Sequence, residues 1–257
     1  MTTTAVPRTR GAVAAPPTQG IPFGRLVHAE WVKATDTRAA RWLLALTAVS
    51  TVGMMLVPVL APTTFDQTYA SYLRVAALGL TILLPVVAIL LFTAEWSQGS
   101  IMTTFTQEPR RLRVVNAKIA VAISLGTLGA LFGGVVAAAG IGVATASGRV
   151  LEANLSPGVI AGYLVFVLLN VMAGVALGAL LQNSAPAIAA SFALPATVAI
   201  LATASPLLAD WIDMSVWNDV LENNWAGNVP NIAFSILFWV AVPLAAGYIR
   251  TTRRDVA

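Results

Sequence analysis

Few side chains in this sequence can do chemistry, and most that can stand outside its apolar stretches. Of 257 residues, 58% are apolar and 10% are charged. There is no cysteine, so disulfides, thiolate metal sites and cysteine nucleophiles are excluded. One histidine, His28, leaves little scope for a metal centre. A phosphate-cradling loop needs Gly-x-x-x-x-Gly-Lys-Ser/Thr. The only lysines, Lys33 and Lys118, follow Val32 and Ala117, so the chain carries no such ATP site. No paired acids face each other within an apolar stretch, and an enzyme reading has little to stand on. Neither a metal nor a cofactor is expected.

The charged residues that remain belong to span ends. A carboxylate or cation at the centre of a bilayer costs about 2.5–3.5 kcal/mol on insertion scales, so one found there is kept for function. No ionisable residue falls at mid-depth; Arg74, Glu95 and Lys118 lie at ends. Coupling to protons or sodium through a buried carboxylate is therefore disfavoured. The most polar mid-span residue is Asn170, read as a helix-packing hydrogen bond in preference to a substrate ligand.

The elements that hold these residues are long and apolar. A soluble domain carries roughly 25% charged residues, and a helix that crosses a bilayer uses about 20 apolar residues. Six such stretches are expected, near 39–60, 73–94, 115–145, 158–181, 187–208 and 231–249. The fold class is all-α: a polytopic membrane protein of six transmembrane helices. Residues 1–21 read as a disordered tail without the apolar core of a signal peptide. Phe23, Leu26, Val27 and Trp31 then recur at helical spacing, with Arg25, His28 and Lys33 on other faces, which predicts an amphipathic helix over 22–35 lying in the headgroup layer. A solvated extension of the first span is the alternative. Thr35-Asp36-Thr37 offers N-cap side chains for that span. The third stretch is longer than a bilayer needs and is expected to project at its start, where Lys118 lies. Pro85 and Pro195 should kink the second and fifth spans. Gly129-x-x-x-Gly133 and Gly174-x-x-x-Gly178 allow close helix contact, within the chain or across a dimer.

Lysine and arginine set the orientation. The N-terminal region carries Arg8, Arg10, Arg25, Lys33, Arg38 and Arg41; the loop after the second span carries Arg110, Arg111, Arg113 and, at its edge, Lys118; the C-terminus carries Arg250, Arg253 and Arg254. The opposite side has only Arg74 and Arg149. The positive-inside rule places both termini in the cytoplasm. These basic residues sit at span ends, which suits a lipid surface and not nucleic acid as partner. Between spans five and six lie Asp210, Asp213, Asp219 and Glu222, interleaved with Trp211, Trp217 and Trp225. That pattern predicts an external interfacial helix over 210–226 with its tryptophans at headgroup depth.

The segment Glu95 to Arg113 is too polar for a span and too patterned for a slack loop. Ile101 and Phe105 are one turn apart, Pro109 ends the element, and a basic cluster follows. A short cytoplasmic helix able to dock on a partner fits. An ordinary positive-inside loop explains the arginines but not the Ser-Gln-Gly-Ser-Ile-Met-Thr-Thr run.

Glu95-Trp96-x-x-Gly99-Ser100-Ile101-x-Thr103-Thr104, then Pro109-Arg110-Arg111 and Lys118, resembles the permeases of type-2 ABC exporters, especially those of actinobacteria. Ala29-Glu30-Trp31-Val32-Lys33 and the six-span layout fit the same family. The arginine- and alanine-rich composition independently suggests a high-GC bacterial genome, and the expected location is a bacterial plasma membrane. The resemblance implies a six-span permease domain over 22–250, with a connecting helix at 22–35, a coupling loop at 95–113 and a basic cytoplasmic tail at 251–257. It implies a partner ABC ATPase subunit and a homodimer or paired permease. Glu95, Gln98, Gly99, Ser100, Thr103 and Thr104 would dock on the ATPase; Arg110, Arg111 and Arg113 would hold the loop against lipid phosphates or that subunit. Asn170, Thr197 and Ser235 would line the substrate pathway. The Gln182-Asn183-Ser184 turn lacks the basic residue often found there, which departs from the family pattern. A membrane-embedded regulatory or immunity partner and a secondary transporter are the other readings.

Overall fold

The computed structural model describes residues 21–253. The tail expected over 1–21, apart from Ile21, and residues 254–257 of the basic tail lie outside the described residues.

The amphipathic pattern after Ile21 forms α1, Phe23–Asp36, which buries Leu26, Glu30 and Ala34. Thr37 is extended and ends it. The Thr37 hydroxyl accepts a bond from the Ala40 N–H at 3.2 Å and so caps the next helix, α2, Arg38–Leu60. The second span is two helices, α3 (Tyr69–Thr81) and α4 (Leu84–Ser97), parted at Ile82-Leu83. Pro85 at the second position of α4 accounts for the break, because its ring clashes with the preceding turn. A short helix follows, α5 (Ile101–Gln107), and then α6 (Arg111–Ala146), 36 residues long. At 1.5 Å per residue α6 extends about 54 Å, well past a hydrocarbon core of about 30 Å.

The second half opens with α7 (Pro157–Leu181), where Ser156 caps the Val159 N–H at 3.2 Å and Pro157 takes the first helical position. Gln182 in the left-handed region turns the chain into α8 (Ser184–Ala202). The last span joins α11 (Val229–Ile236) to α12 (Val242–Arg253) through a π-turn at Leu237–Ala241. Six helical stretches are long and apolar enough to cross a membrane: Arg38–Leu60, Tyr69–Ser97, Arg111–Ala146, Pro157–Leu181, Ser184–Ala202 and Val229–Arg253. Among the described residues there is no strand, only an isolated bridge between Thr68 and Glu152.

Two expectations are corrected. The fifth span stops at Ala202, not 208, and a separate α9 (Pro206–Trp211) follows a break at 203–205. The outer segment 210–226 is not one helix. It consists of the end of α9, a 3-10 turn at Met214–Trp217 and α10 (Asn218–Leu221), followed by irregular chain. Trp217 is fully buried within the chain, whereas Trp211 and Trp225 are exposed.

Packing centres on α4 and α7, and glycine makes it close. A Cβ on Gly174 would lie 2.5 Å from the Pro85 carbonyl oxygen, and one on Gly178 would lie 3.2 Å from the Ile89 Cα. Gly133 lies against the Tyr163 hydroxyl, which donates to the Ala130 carbonyl at 2.7 Å. Both glycine pairs are thus used for contact within the chain.

Candidate functional site

The two ends of this bundle differ in charge. At one end Arg74 pairs with Glu222 at 3.3 Å, and Arg149 donates to the Pro58 and Val59 carbonyls, closing the C-terminus of α2. At the other end the remaining described lysines and arginines gather. Here Arg113 reaches the Ile21 carbonyl at 2.7 Å and Arg111 reaches the Thr251 carbonyl at 3.1 Å. The first and last described segments therefore lie at the same, basic end as α5.

Four charges at this end, three of them buried, join three helices. Lys33 of α1 contacts Glu30 of α1 at 2.7 Å and Glu95 of α4 at 2.6 Å. Lys118 of α6 contacts the same two carboxylates, Glu30 at 2.6 Å and Glu95 at 2.9 Å. Each carboxylate thus bridges two ammonium groups, and the set is neutral. Lys118 also donates to the Leu91 carbonyl at 2.9 Å, so it makes two hydrogen bonds, to Glu30 and Leu91, beside its ion pair with Glu95. Thr104 of α5 donates to Glu95 at 2.8 Å and ties the short helix into the same cluster. Glu30, Glu95 and Lys118 are respectively 3%, 9% and 4% exposed. Both lysines of the chain are in this cluster. A compact ammonium with three donors suits a site that converges from several directions better than a flat guanidinium.

The first turns of α6 pack beside α1, and Lys118 points inward among them. Burial disfavours the Lys33 ammonium, but hydrogen bonds and charge from Glu30 and Glu95 outweigh burial and raise its pKa above the ordinary lysine value.

The connection between α4 and α5 is built around one glycine. Gly99 has φ +70, and the Ser100 N–H reaches back to the Glu95 carbonyl at 3.0 Å, the closing bond of a Schellman turn. The turn aims α5 so that Ile101 is buried, sharing a small cleft with Phe92, Trp96, Phe105 and Val115. Trp96 and Phe105 meet edge to face at 6.1 Å, and the Arg111 guanidinium lies 5.0 Å from the centre of the Phe105 ring. The opposite side of the hairpin, including Gln98, Gly99, Ser100, Met102, Thr103, Thr106 and Gln107, is exposed.

The residues expected to dock on a partner therefore divide. Gln98, Gly99, Ser100, Thr103 and Arg110 are on the exposed side. Glu95 and Thr104 face inward on the ion cluster. Arg111 and Arg113 are engaged within the chain, Arg113 also with Glu108 at 2.8 Å. The Gln182–Ser184 turn has a basic residue in space though not in sequence, since Arg250 donates to the Leu180 carbonyl at 2.6 Å. Glu30 was not among the residues the sequence singled out for docking; its partner Lys118 is 88 positions away.

The structure does not bring Asn170, Thr197 and Ser235 together. Asn170 lines a mid-span cavity; Thr197 is exposed on α8, donating to Ala193; Ser235 is fully buried, its hydroxyl without a hydrogen-bond partner among the described residues. No protein-family model matches this chain, and no curated protein sequence matches it.

Proposed function

We propose that this chain is the membrane-spanning permease subunit of an ATP-driven ABC exporter in a bacterial plasma membrane. It works with a separate ATPase subunit and with a second permease, a copy of itself or a relative. The observation that carries the reading is the exposed hairpin around α5. Its outer side is free for a partner, and its inner side is fastened through Ile101, Phe105 and Thr104 to α1, α4 and α6. A force applied to α5 is thus delivered to α1 and to the second and third spans, which is what coupling to an ATPase requires.

In this reading the basic end faces the cytoplasm, following the positive-inside rule. ATP binding closes the ATPase dimer, α5 moves with it, and the ion cluster carries the motion to α1 and α6. Gln98, Ser100, Met102, Thr103 and Thr106 form the docking face. Glu95 and Thr104 position that face and do not touch the partner.

The test is co-purification of the chain with an ABC ATPase from its native membrane, repeated with Met102→Glu combined with Thr106→Arg. The reading expects the ATPase to be lost and the permease to keep its thermal stability, because both side chains are exposed. Retention of the ATPase by the variant places docking elsewhere. Transport by the purified chain on a proton gradient without ATP favours a secondary transporter. ATPase binding with no transported molecule favours the regulatory reading.

A further inference from the structure

A cavity of about 210 Å³ lies beside the ion cluster, walled by α1, α2, α4 and the start of α8. Its polar part stands at span ends: Lys33 precedes the first span, and Thr37, Ser97 and Ser184 sit at the ends of α2, α4 and α8. Its apolar part, Leu43, Val87, Leu90 and Leu91, lies deeper along the spans Arg38–Leu60 and Tyr69–Ser97. From Ser97 back to Val87, α4 descends about 15 Å at 1.5 Å per residue, half of a hydrocarbon core of about 30 Å. The cavity thus runs from the headgroup level of one leaflet towards the bilayer centre, polar at its mouth and apolar at depth. Ala34, Ala39, Ala40 and Ala94 line it too, and their small side chains leave the room.

The wall is positive. It carries Lys33, Lys118 and one carboxylate, Glu95, while Glu30, which completes the neutral set, is not part of it. Lys118 is engaged by Glu30, Leu91 and Glu95. Lys33 differs. Its ammonium has three N–H bonds, two of them go to Glu30 and Glu95, and its side chain is 43% exposed. The third N–H has no acceptor among the described residues. Thr37, one helical turn further on, is exposed. Its hydroxyl oxygen accepts from the Ala40 N–H, and its own O–H has no acceptor among the described residues. Ser97 and Ser184 are bonded to each other at 3.0 Å. One cationic and one neutral donor thus remain at the mouth, above an apolar wall.

We infer that this cavity holds one phospholipid of the leaflet at the basic end, its phosphate on the Lys33 ammonium and the Thr37 hydroxyl and the upper part of one acyl chain along Leu43, Val87 and Leu90. The phosphate supplies the acceptors that both donors lack and matches the positive wall. A neutral diacylglycerol leaves the donors unpaired, and a free phosphate leaves the apolar wall uncovered. The claim concerns the chain in its bilayer and does not rest on the exporter reading.

The test is native mass spectrometry of the purified, delipidated chain in detergent, titrated with dioleoylphosphatidylglycerol, with dioleoylglycerol and with glycerol phosphate. One phosphatidylglycerol binds, and the other two probes do not. Lys33→Met weakens that binding about tenfold, the loss of a hydrogen bond between charged groups. Ala94→Phe fills the cavity from α4 while keeping both donors, so it prevents binding in a variant whose melting transition shows it folded. Arg253→Gln removes an exposed charge at the same end but outside the cavity, and binds as the native chain does. Dioleoylglycerol or glycerol phosphate bound as tightly as the phospholipid, or undiminished phospholipid binding by folded Ala94→Phe, overturns the inference. Equal weakening by Lys33→Met and Arg253→Gln overturns it as well, since that marks general attraction to a basic surface.

Discussion

Lys118 carries the largest single-residue consequence in this chain. It is 4% exposed, donates to Glu30 and to the Leu91 carbonyl, and pairs with Glu95. Removing one partner of a buried pair leaves an uncompensated charge, at about 3–5 kcal/mol, whereas replacing the whole set by apolar groups is often neutral. Lys118→Met should therefore destabilise by that amount in a thermal unfolding assay in detergent. Lys118→Met combined with Glu30→Gln should recover much of the loss; an additive double variant would mean the two side chains are not coupled. Lys33 gives a pH signature. Its raised pKa means the folded chain holds that proton more tightly than the unfolded chain. Its contribution is complete below about pH 10.4 and is lost as pH climbs through the higher folded value. The melting-temperature gap between the native chain and Lys33→Met should stay constant from pH 7 to about 10 and close above it; a gap that closes at lower pH contradicts the assignment.

At the scale of elements, the sequence shows where apolar length accumulates and less of how it is interrupted. The six spans are legible because each exceeds the length a bilayer needs. Pro85 and Pro195 signal distortion, but only at Pro85 does the helix part into two, and the π-turn at Leu237–Ala241 ahead of Pro243 gave no separate warning. The outer segment misled because interleaved tryptophans look interfacial by composition, while burial of Trp217 is decided by helices far away in the chain. The ion cluster was hidden for the same reason: Lys33 and Glu95 are 62 positions apart, and Glu30 and Lys33 alone look like an ordinary helix-surface pair. Close packing of α4 on α7 is testable. A Cβ at Gly174 meets backbone at 2.5 Å, which cannot swing aside. Gly174→Ala should cost about 1–3 kcal/mol, whereas Ala193→Leu on exposed α8 should stay within about 0.5 kcal/mol. Equal effects in the two variants would contradict this packing.

For the whole molecule, the gathering of α5 and both described ends at one pole makes sidedness the decisive property. The absence of native cysteine makes single introduced thiols unambiguous reporters. Ser100→Cys and Asn224→Cys both place the thiol at exposed positions on opposite poles. A membrane-impermeant maleimide added to intact cells should label Asn224→Cys and spare Ser100→Cys; the reverse pattern inverts the topology and removes the docking role of α5. The helix α8 has a different implication. It buries only Ala187, while Phe192, Leu194, Ile200 and Leu201 point away from the rest of the chain. Most of what surrounds this helix must be supplied from outside the polypeptide. Its contribution to stability is therefore set by acyl-chain length and by whatever neighbour lies alongside it, so the same sequence will melt differently in thin and thick bilayers.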